Sequence, residues 1–165
     1  MSLRLVIRLA EQRLYGYDST PQGVERVVCD YPVSSAALGA GQLMKSFKTP
    51  LGKHEIKEKI GHDCPVNTVF RTRQTTGMIW SPEWSAMYPE TDWILTRILW
   101  LSGCEPGKNQ GGDVDTHGRY IYIHGTSEED LLGMPVSHGC IRMGNQAIIE
   151  LFNRVEVGTP VDILE

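Results

Sequence analysis

The sequence predicts a single, mainly β domain over residues 1–165. Three observations carry this. The first thirty residues alternate with the period of a half-buried strand. Several later runs rich in Thr, Val, Ile and Trp are bounded by Gly and Pro. Only one segment near the C-terminus shows a clear helical period.

Leu3, Leu5, Ile7 and Leu9 fall on one face of the opening run, with Arg4 and Arg8 on the other. Glu11-Gln12 turns the chain and Leu14 to Tyr17 returns it. Val24 to Pro32 reads as a further strand. Ser34 to Gly52, rich in Ser, Gly, Ala and Pro, reads as a long loop ending in the turn Thr49-Pro50-Leu51-Gly52. His54 to Ile60 leaves strand and short helix both open. Thr68 to Trp80 reads as one strand, and Asp92 to Leu101 as a buried strand stopped by Gly103. Glu105 to Gly118, with four glycines and a proline, is a loop whose glycine content suggests a lid. Arg119 to His124 is a short strand. Asn145 is expected to cap a helix whose apolar stripe is Ile148, Leu151, Phe152 and Val155. Gly158-Thr159-Pro160 ends it, and Val161 to Leu164 closes the fold as a strand.

Sixteen Lys and Arg against twenty Asp and Glu give a formal charge of −4. That argues against a phosphate-neutralising surface, so no nucleic-acid partner is expected. With 41% hydrophobic and 22% charged residues the chain is of ordinary globular composition. No apolar run approaches the roughly 18 residues of a membrane helix, so no membrane span is expected. Arg4 and Arg8 interrupt what would be the core of a signal peptide. Cys29, Cys64, Cys104 and Cys140 form no CxxC pair and read as reduced thiols, which points to a cytoplasmic setting, or to a periplasmic one where a leader has been removed.

The chemistry concentrates in residues 119–144, RYIYIHGTSEEDLLGMPVSHGCIRMG. His138 precedes Cys140 by two residues and Arg142 follows it by two, so an extended backbone would present all three on one face. A neighbouring imidazole and cation lower a thiol pKa from about 8.5 to roughly 3.5–7.5. His124 lies sixteen residues before Cys140. A strand, one helical turn capped by Ser127 and stopped by Gly133, and a return strand would set it beside the sulfur. Gly125 leaves its carbonyl free to orient the ring. Cys140 is thus a candidate nucleophile toward a carbonyl, with either His124 or His138 as base. Backbone N–H groups near Gly139 and Cys140 are candidate oxyanion donors. Arg142 is suited to hold a substrate carboxylate or to support the site.

Elsewhere the plain readings apply. Cys29, Cys64 and Cys104 are expected as small buried hydrophobes, and His54 and His62 as surface residues. His117, in the glycine-rich loop, is a candidate substrate contact. His62-Asp63-Cys64 and His138-Gly139-Cys140 repeat an H-x-C spacing to which Cys104 and His117 could add ligands. The absence of CxxC or HxxxH elements disfavours zinc, so neither a metal nor another cofactor is expected.

HGT at 124–126 and SHGCIR at 137–142 together resemble the active-site signature of the L,D-transpeptidase catalytic-domain family. VSS at 33–35, TPLG at 49–52 and VGTPVDI at 157–163 extend the resemblance over nearly the whole chain. The resemblance implies a β-sandwich-like fold with one or two short helices. It implies cysteine attack on the bond between meso-diaminopimelate and the terminal D-alanine of a peptidoglycan tetrapeptide stem. By it Cys140 is the nucleophile and His124 the base, oriented by the Gly125 carbonyl. His138 becomes a shaping residue, and Ser137, Gly139 and Arg142 line the site. Without a recognisable leader, the expected substrate is a soluble muropeptide and the expected acceptor is water, an L,D-carboxypeptidase reaction. The alternative is cross-linking of wall stems by transpeptidation. A wall-binding module without turnover is the non-enzymatic reading. The resemblance also implies a covalent carbapenem adduct on Cys140.

Overall fold

A computed structural model describes residues 2–165. Ten strands are arranged as β1 (Ser2–Arg8), β2 (Arg13–Ser19), β3 (Glu25–Ser34), β4 (Gly52–Ile60), β5 (Thr68–Arg71), β6 (Gln74–Ile79), β7 (Ile94–Gly103), β8 (Tyr122–Gly125), β9 (Ile141–Met143) and β10 (Pro160–Leu164). Two helices, α1 (Pro82–Met87) and α2 (Asn145–Arg154), complete the mainly β fold. The strand order is β4-β10-β1-β2-β3-β9-β8-β7-β5-β6. A further pairing of β4 with β7 brings the sheet back on itself, leaving the β5–β6 hairpin outside the closed part. Closure covers the β4 edge that an open sheet would expose, while β6 stays an edge strand.

The core sits inside the closed sheet. Leu5, Ile7 and Leu14 from β1 and β2 meet Leu99, Leu101, Ile123 and Ile141 from β7, β8 and β9, all fully buried. The expected stripe of β1 is present, with Arg4 turned outward to Glu25. Ile148, Leu151 and Phe152 on α2, with Val155 just past its end, are the buried stripe the period predicts. Each such side chain stabilises the fold by about 1.5–3 kcal/mol when fully removed from water.

Several expectations are corrected. His54 to Ile60 is strand. His54 is 2% exposed, not a surface residue. Between β10 and β7 its Nδ1 lies 2.9 Å from the Gly52 carbonyl and its Nε2 2.9 Å from the Thr116 hydroxyl. Residues 68–80 are a hairpin, because Thr72 and Arg73 both adopt positive φ and close a two-residue turn. Neither residue is the usual Gly or Asn, so the turn had no local signal. Asn145 is the first residue of α2 and does not cap it. Its side chain leaves the helix to accept from Thr96 Oγ1 at 2.6 Å and donate to the Thr126 carbonyl at 2.8 Å. Ser127 likewise caps nothing, and the turn after it is a short 3-10 segment over Glu129–Leu131. Cys104 is exposed, and Cys29 and Cys64 are only partly buried.

Residues 105–118 do not form a lid. Asn109 is fully buried, donating to the carbonyls of Leu51 and Lys53 and accepting the Glu105 N–H. The loop is thereby bound to β4. His117 stacks on the Trp100 ring at 3.9 Å between centroids. No helix among the described residues is long and apolar enough to cross a membrane.

Candidate active site

β8 and β9 run side by side in parallel, with His124 paired to Arg142 and Ile123 to Ile141. Ile123 and Ile141 point into the core, so alternation turns His124 and Arg142 to the opposite face. Cys140, just before β9, shares that face. Its Sγ lies 3.3 Å from the Tyr122 N–H and 3.3 Å from the Tyr120 carbonyl. Tyr120 holds φ at +57°, so the expected strand over 119–124 begins only at Tyr122. That kink turns the Tyr120 carbonyl to the sulfur.

The loop before Cys140 is held from several sides. Ser137 Oγ donates to the Cys140 carbonyl at 2.6 Å and accepts the Gly139 N–H at 3.1 Å. Thr49 Oγ1 donates to the Gly139 carbonyl at 2.9 Å, and Ala36 bridges to Ser137. Gly139 has φ +135°, a conformation open to glycine and strained for other residues. The Gly139 N–H, the other expected oxyanion donor, is taken by Ser137 in this structure. The Cys140 N–H has no partner among the described residues and is the free donor beside the sulfur. Ser137 is a brace of the loop.

His124 is 1% exposed. Its Nδ1 lies 2.6 Å from the Gly125 carbonyl. A carbonyl only accepts, so Nδ1 carries the proton and Nε2 keeps its lone pair. Gly125 has a second role: a Cβ there would meet the Leu95 carbonyl at 2.6 Å and the Asn145 amide. Glycine lets β8 lie tightly against β7 and the start of α2.

Arg142 is buried, with Nη2 2.9 Å from Asp92 Oδ1 and Nη1 3.2 Å from Glu128 Oε1. It supports the site and is not free to hold a substrate carboxylate. Asp92 also faces His138 Nδ1 at 3.3 Å. His138 itself is 64% exposed on its side chain and packs edge-on to Phe47. The equal presentation of His138, Cys140 and Arg142 on one face therefore fails, since residues 138–140 are bends, not strand.

The protonation states follow from burial. Burial pushes the Cys140 thiol up to about 12, outweighing the Tyr122 N–H and the Arg142 and Arg119 cations. Burial lowers the His124 pKa, against the opposing pull of Asp92 and the Gly125 carbonyl. Burial works against the Asp92 carboxylate, but His124, Arg142 and His138 together hold its pKa below the usual value. At neutral pH the resting pair is a thiol and a neutral imidazole. Desolvation opposes the low-pKa thiolate expected from the sequence and outweighs the cations around the sulfur.

A cavity of about 410 Å³ opens at Cys140, walled by Phe70, Ile94, Ile98 and Tyr122 with Arg73 at one end. A second, of about 310 Å³, is lined by Phe47, Lys45, Arg119 and His138. Tyr120 is a wall of both. Arg119 fixes the 41–48 segment beside this second cavity by donating to Gly41, Gln42 and Lys48 carbonyls. A larger cavity of about 640 Å³, lined by Asp18, Arg26 and Arg154, holds no cysteine or histidine. Among the described residues no three of His, Cys, Asp or Glu gather in a metal-binding arrangement. Asp92 and Arg73 carried no sequence signal, since each reaches the site from far along the chain, whereas Arg119 and Asn145 sit at the two ends of the chemical segment without a pattern that announces their contacts.

Comparison with known proteins agrees with this geometry. A family model described as YkuD, L,D-transpeptidase catalytic domain, matches residues 2–163. The chain is 30% identical over 162 residues to the probable L,D-transpeptidase YbiS of Escherichia coli K12, covering 98% of this chain and 44% of that protein. It is 48% identical over 164 residues to the probable L,D-transpeptidase ErfK/SrfK of the same strain, again covering 98% and 44%. The chain thus spans less than half the length of these relatives. Among solved structures it is similar to L,D-transpeptidase 3 from Mycobacterium tuberculosis in complex with a faropenem-derived adduct, with TM-score 0.57 and 16% identity over 99% of this chain and 60% of that one. That likeness concerns the fold. With His124 and Arg142 on adjacent strands, Cys140 just ahead of the second, and the family model covering almost every residue, the chain belongs to the L,D-transpeptidase catalytic-domain family.

Proposed function

We propose that this domain transfers the acyl group of a peptidoglycan stem peptide through a thioester on Cys140. The observation that carries the reading is the His124–Gly125 hydrogen bond, which leaves the Nε2 lone pair on the sheet face that also bears Cys140. As Sγ attacks the carbonyl carbon between meso-diaminopimelate and D-alanine, its proton passes to His124 Nε2. The carbonyl oxygen takes up the negative charge and the Cys140 N–H stabilises it. Collapse breaks the C–N bond, and the imidazolium returns the proton to the departing D-alanine nitrogen. A thioester remains.

The acceptor then opens the thioester. The second cavity, on the other side of Tyr120, has room for a further peptide and favours an amine, the L,D-transpeptidase reaction. Water is the competing acceptor and gives L,D-carboxypeptidase chemistry on soluble muropeptides. Incubation with a disaccharide tetrapeptide followed by mass spectrometry separates them. A cross-linked dimer supports transfer to an amine, and a tripeptide with free D-alanine supports hydrolysis. Peptide binding with neither product supports the wall-binding module. Absence of D-alanine release and of any adduct on Cys140 sinks the acyl-transfer reading.

The same chemistry extends to strained cyclic amides. Carbapenems are expected to acylate Cys140, seen as a mass increase equal to the drug and lost in Cys140→Ser. A structural neighbour carrying an imipenem complex supports this extension.

A further inference from the structure

We propose that Arg73 selects the acyl donor by pairing with a carboxylate at the end of an aliphatic side chain. The inference rests on the acyl-transfer reading and names what the donor cavity recognises.

Arg73 occupies the tip of the β5–β6 hairpin. Its Nη1 donates to the Tyr122 hydroxyl at 2.9 Å. Its guanidinium carbon lies 5.0 Å from the Trp100 ring centroid and 4.7 Å from that of Tyr120. Stacking on two rings fixes the plane of the group, so little rotamer freedom remains to be lost on binding. A guanidinium carries five N–H donors, and the Tyr122 hydroxyl uses one. No carboxylate of the described residues forms an ion pair with it. An arginine held this way, in a cavity and with only the more distant charge of Glu58 acting on it, is a prepared carboxylate site.

Its position decides what kind of carboxylate. Arg73 shares the cavity of about 410 Å³ with Cys140. The sulfur contacts the Tyr122 backbone and Arg73 contacts the Tyr122 hydroxyl, so the two stand one tyrosine side chain apart. Apart from Thr72 next to Arg73 and the two tyrosines, the cavity they share is lined by Phe70, Ile94 and Ile98, an apolar wall for a ligand side chain. A matching donor has its reacting carbonyl at Cys140, several methylenes along this wall and a carboxylate at Arg73. The distal carboxylate of meso-diaminopimelate has that form. The carboxylate of the leaving D-alanine is attached only one carbon from the scissile nitrogen and does not span the wall. Lysine in place of diaminopimelate has the methylenes without the anion. Arg73 is a specificity residue and takes no part in proton transfer.

Three tetrapeptide donors test this: one with free meso-diaminopimelate, one amidated at its distal carboxylate, and one with lysine at that position. The wild-type domain is expected to favour the free acid by about ten- to a hundredfold in kcat/KM, the scale of a charged hydrogen-bonded pair. Arg73→Gln should bring the free acid down to the amidated level, mainly through KM, and Arg73→Lys should recover part of the preference. Equal turnover of all three donors by wild type, or an equal loss on all three in Arg73→Gln, overturns the proposal. Should wild type release D-alanine from none of them, the acyl-transfer reading fails separately. Binding to Cys140→Ala protein, followed by Trp100 fluorescence, then decides for Arg73. Tighter binding of acid than amide that vanishes in Cys140→Ala/Arg73→Gln supports it, and equal binding overturns it.

Discussion

The Nδ1 of His124 lies 2.6 Å from the carbonyl oxygen of Gly125, its own neighbour in the chain, so the ring is locked in one tautomer by local backbone. On the proposed mechanism the base is therefore oriented before substrate arrives. His124→Ala should lower kcat by about 10²–10⁴, the usual contribution of a general base. His138→Ala should cost less, because its ring is exposed and faces Asp92. Steady-state rates of the two variants check this, and the opposite order reassigns the base.

The Cys140 thiol, pushed up to about 12 by burial, should alkylate slowly at neutral pH. The iodoacetamide rate of the free protein should keep climbing beyond pH 9, about tenfold per pH unit, as the thiolate fraction grows. A plateau near pH 7 would restore a resting thiolate–imidazolium pair.

Asp92 raises the basicity of His124 against the effect of burial. Replacing it with the isosteric Asn removes that opposition. The acid limb of the kcat/KM profile, set by protonation of His124, should move to lower pH in Asp92→Asn. The plateau should fall about tenfold as the base weakens. An unmoved acid limb would limit Asp92 to bracing Arg142 and His138.

Asn145 holds the strand that carries His124 to the rest of the fold, through Thr126 and Thr96. Thr96 is itself in the left-handed region at φ +76°, at a register shift in β7. Asn145→Ala removes the acceptor of the Thr96 O–H, whose oxygen still accepts the Asn67 N–H, and the donor to the Thr126 carbonyl, and should destabilise by about 1–3 kcal/mol. Urea titration gives the loss. A stability within error of wild type would show that water replaces the amide.

His54 contributes a pH dependence that the chemistry does not use. Burial lowers its pKa from 6.5 to about 4, so the folded state keeps the ring neutral while the unfolded chain protonates below 6.5. The unfolded state binds more protons in that window, and stability falls as the pH drops from 6.5 toward 4, by up to about 3 kcal/mol. Above pH 6.5 the residue has no such effect. Unfolding curves of His54→Gln should be flatter than wild type across this window, and parallel curves would contradict the account.

The sequence alone determined the strand periods, the buried stripe of α2 and the identity of the chemical segment. These are local: alternation over a few residues sets which face is apolar, and the HGT and SHGCIR runs bring nucleophile, histidine and glycines within one stretch of chain. Only the tertiary structure decided the rest. Closure through β4 and β7 buried His54, which had no apolar neighbour pattern to announce it. The parallel pairing of β8 with β9 set His124 beside Arg142 and left His138 on the exposed loop ahead of β9, because only pairing sets which side chains share a face. Asp92 and Arg73 reach Cys140's surroundings from far along the chain, and long-range contacts leave no local spacing to read. The protonation state of the sulfur belongs to the same class: the residues flanking it in sequence supply cations, but desolvation depends on everything packed around it.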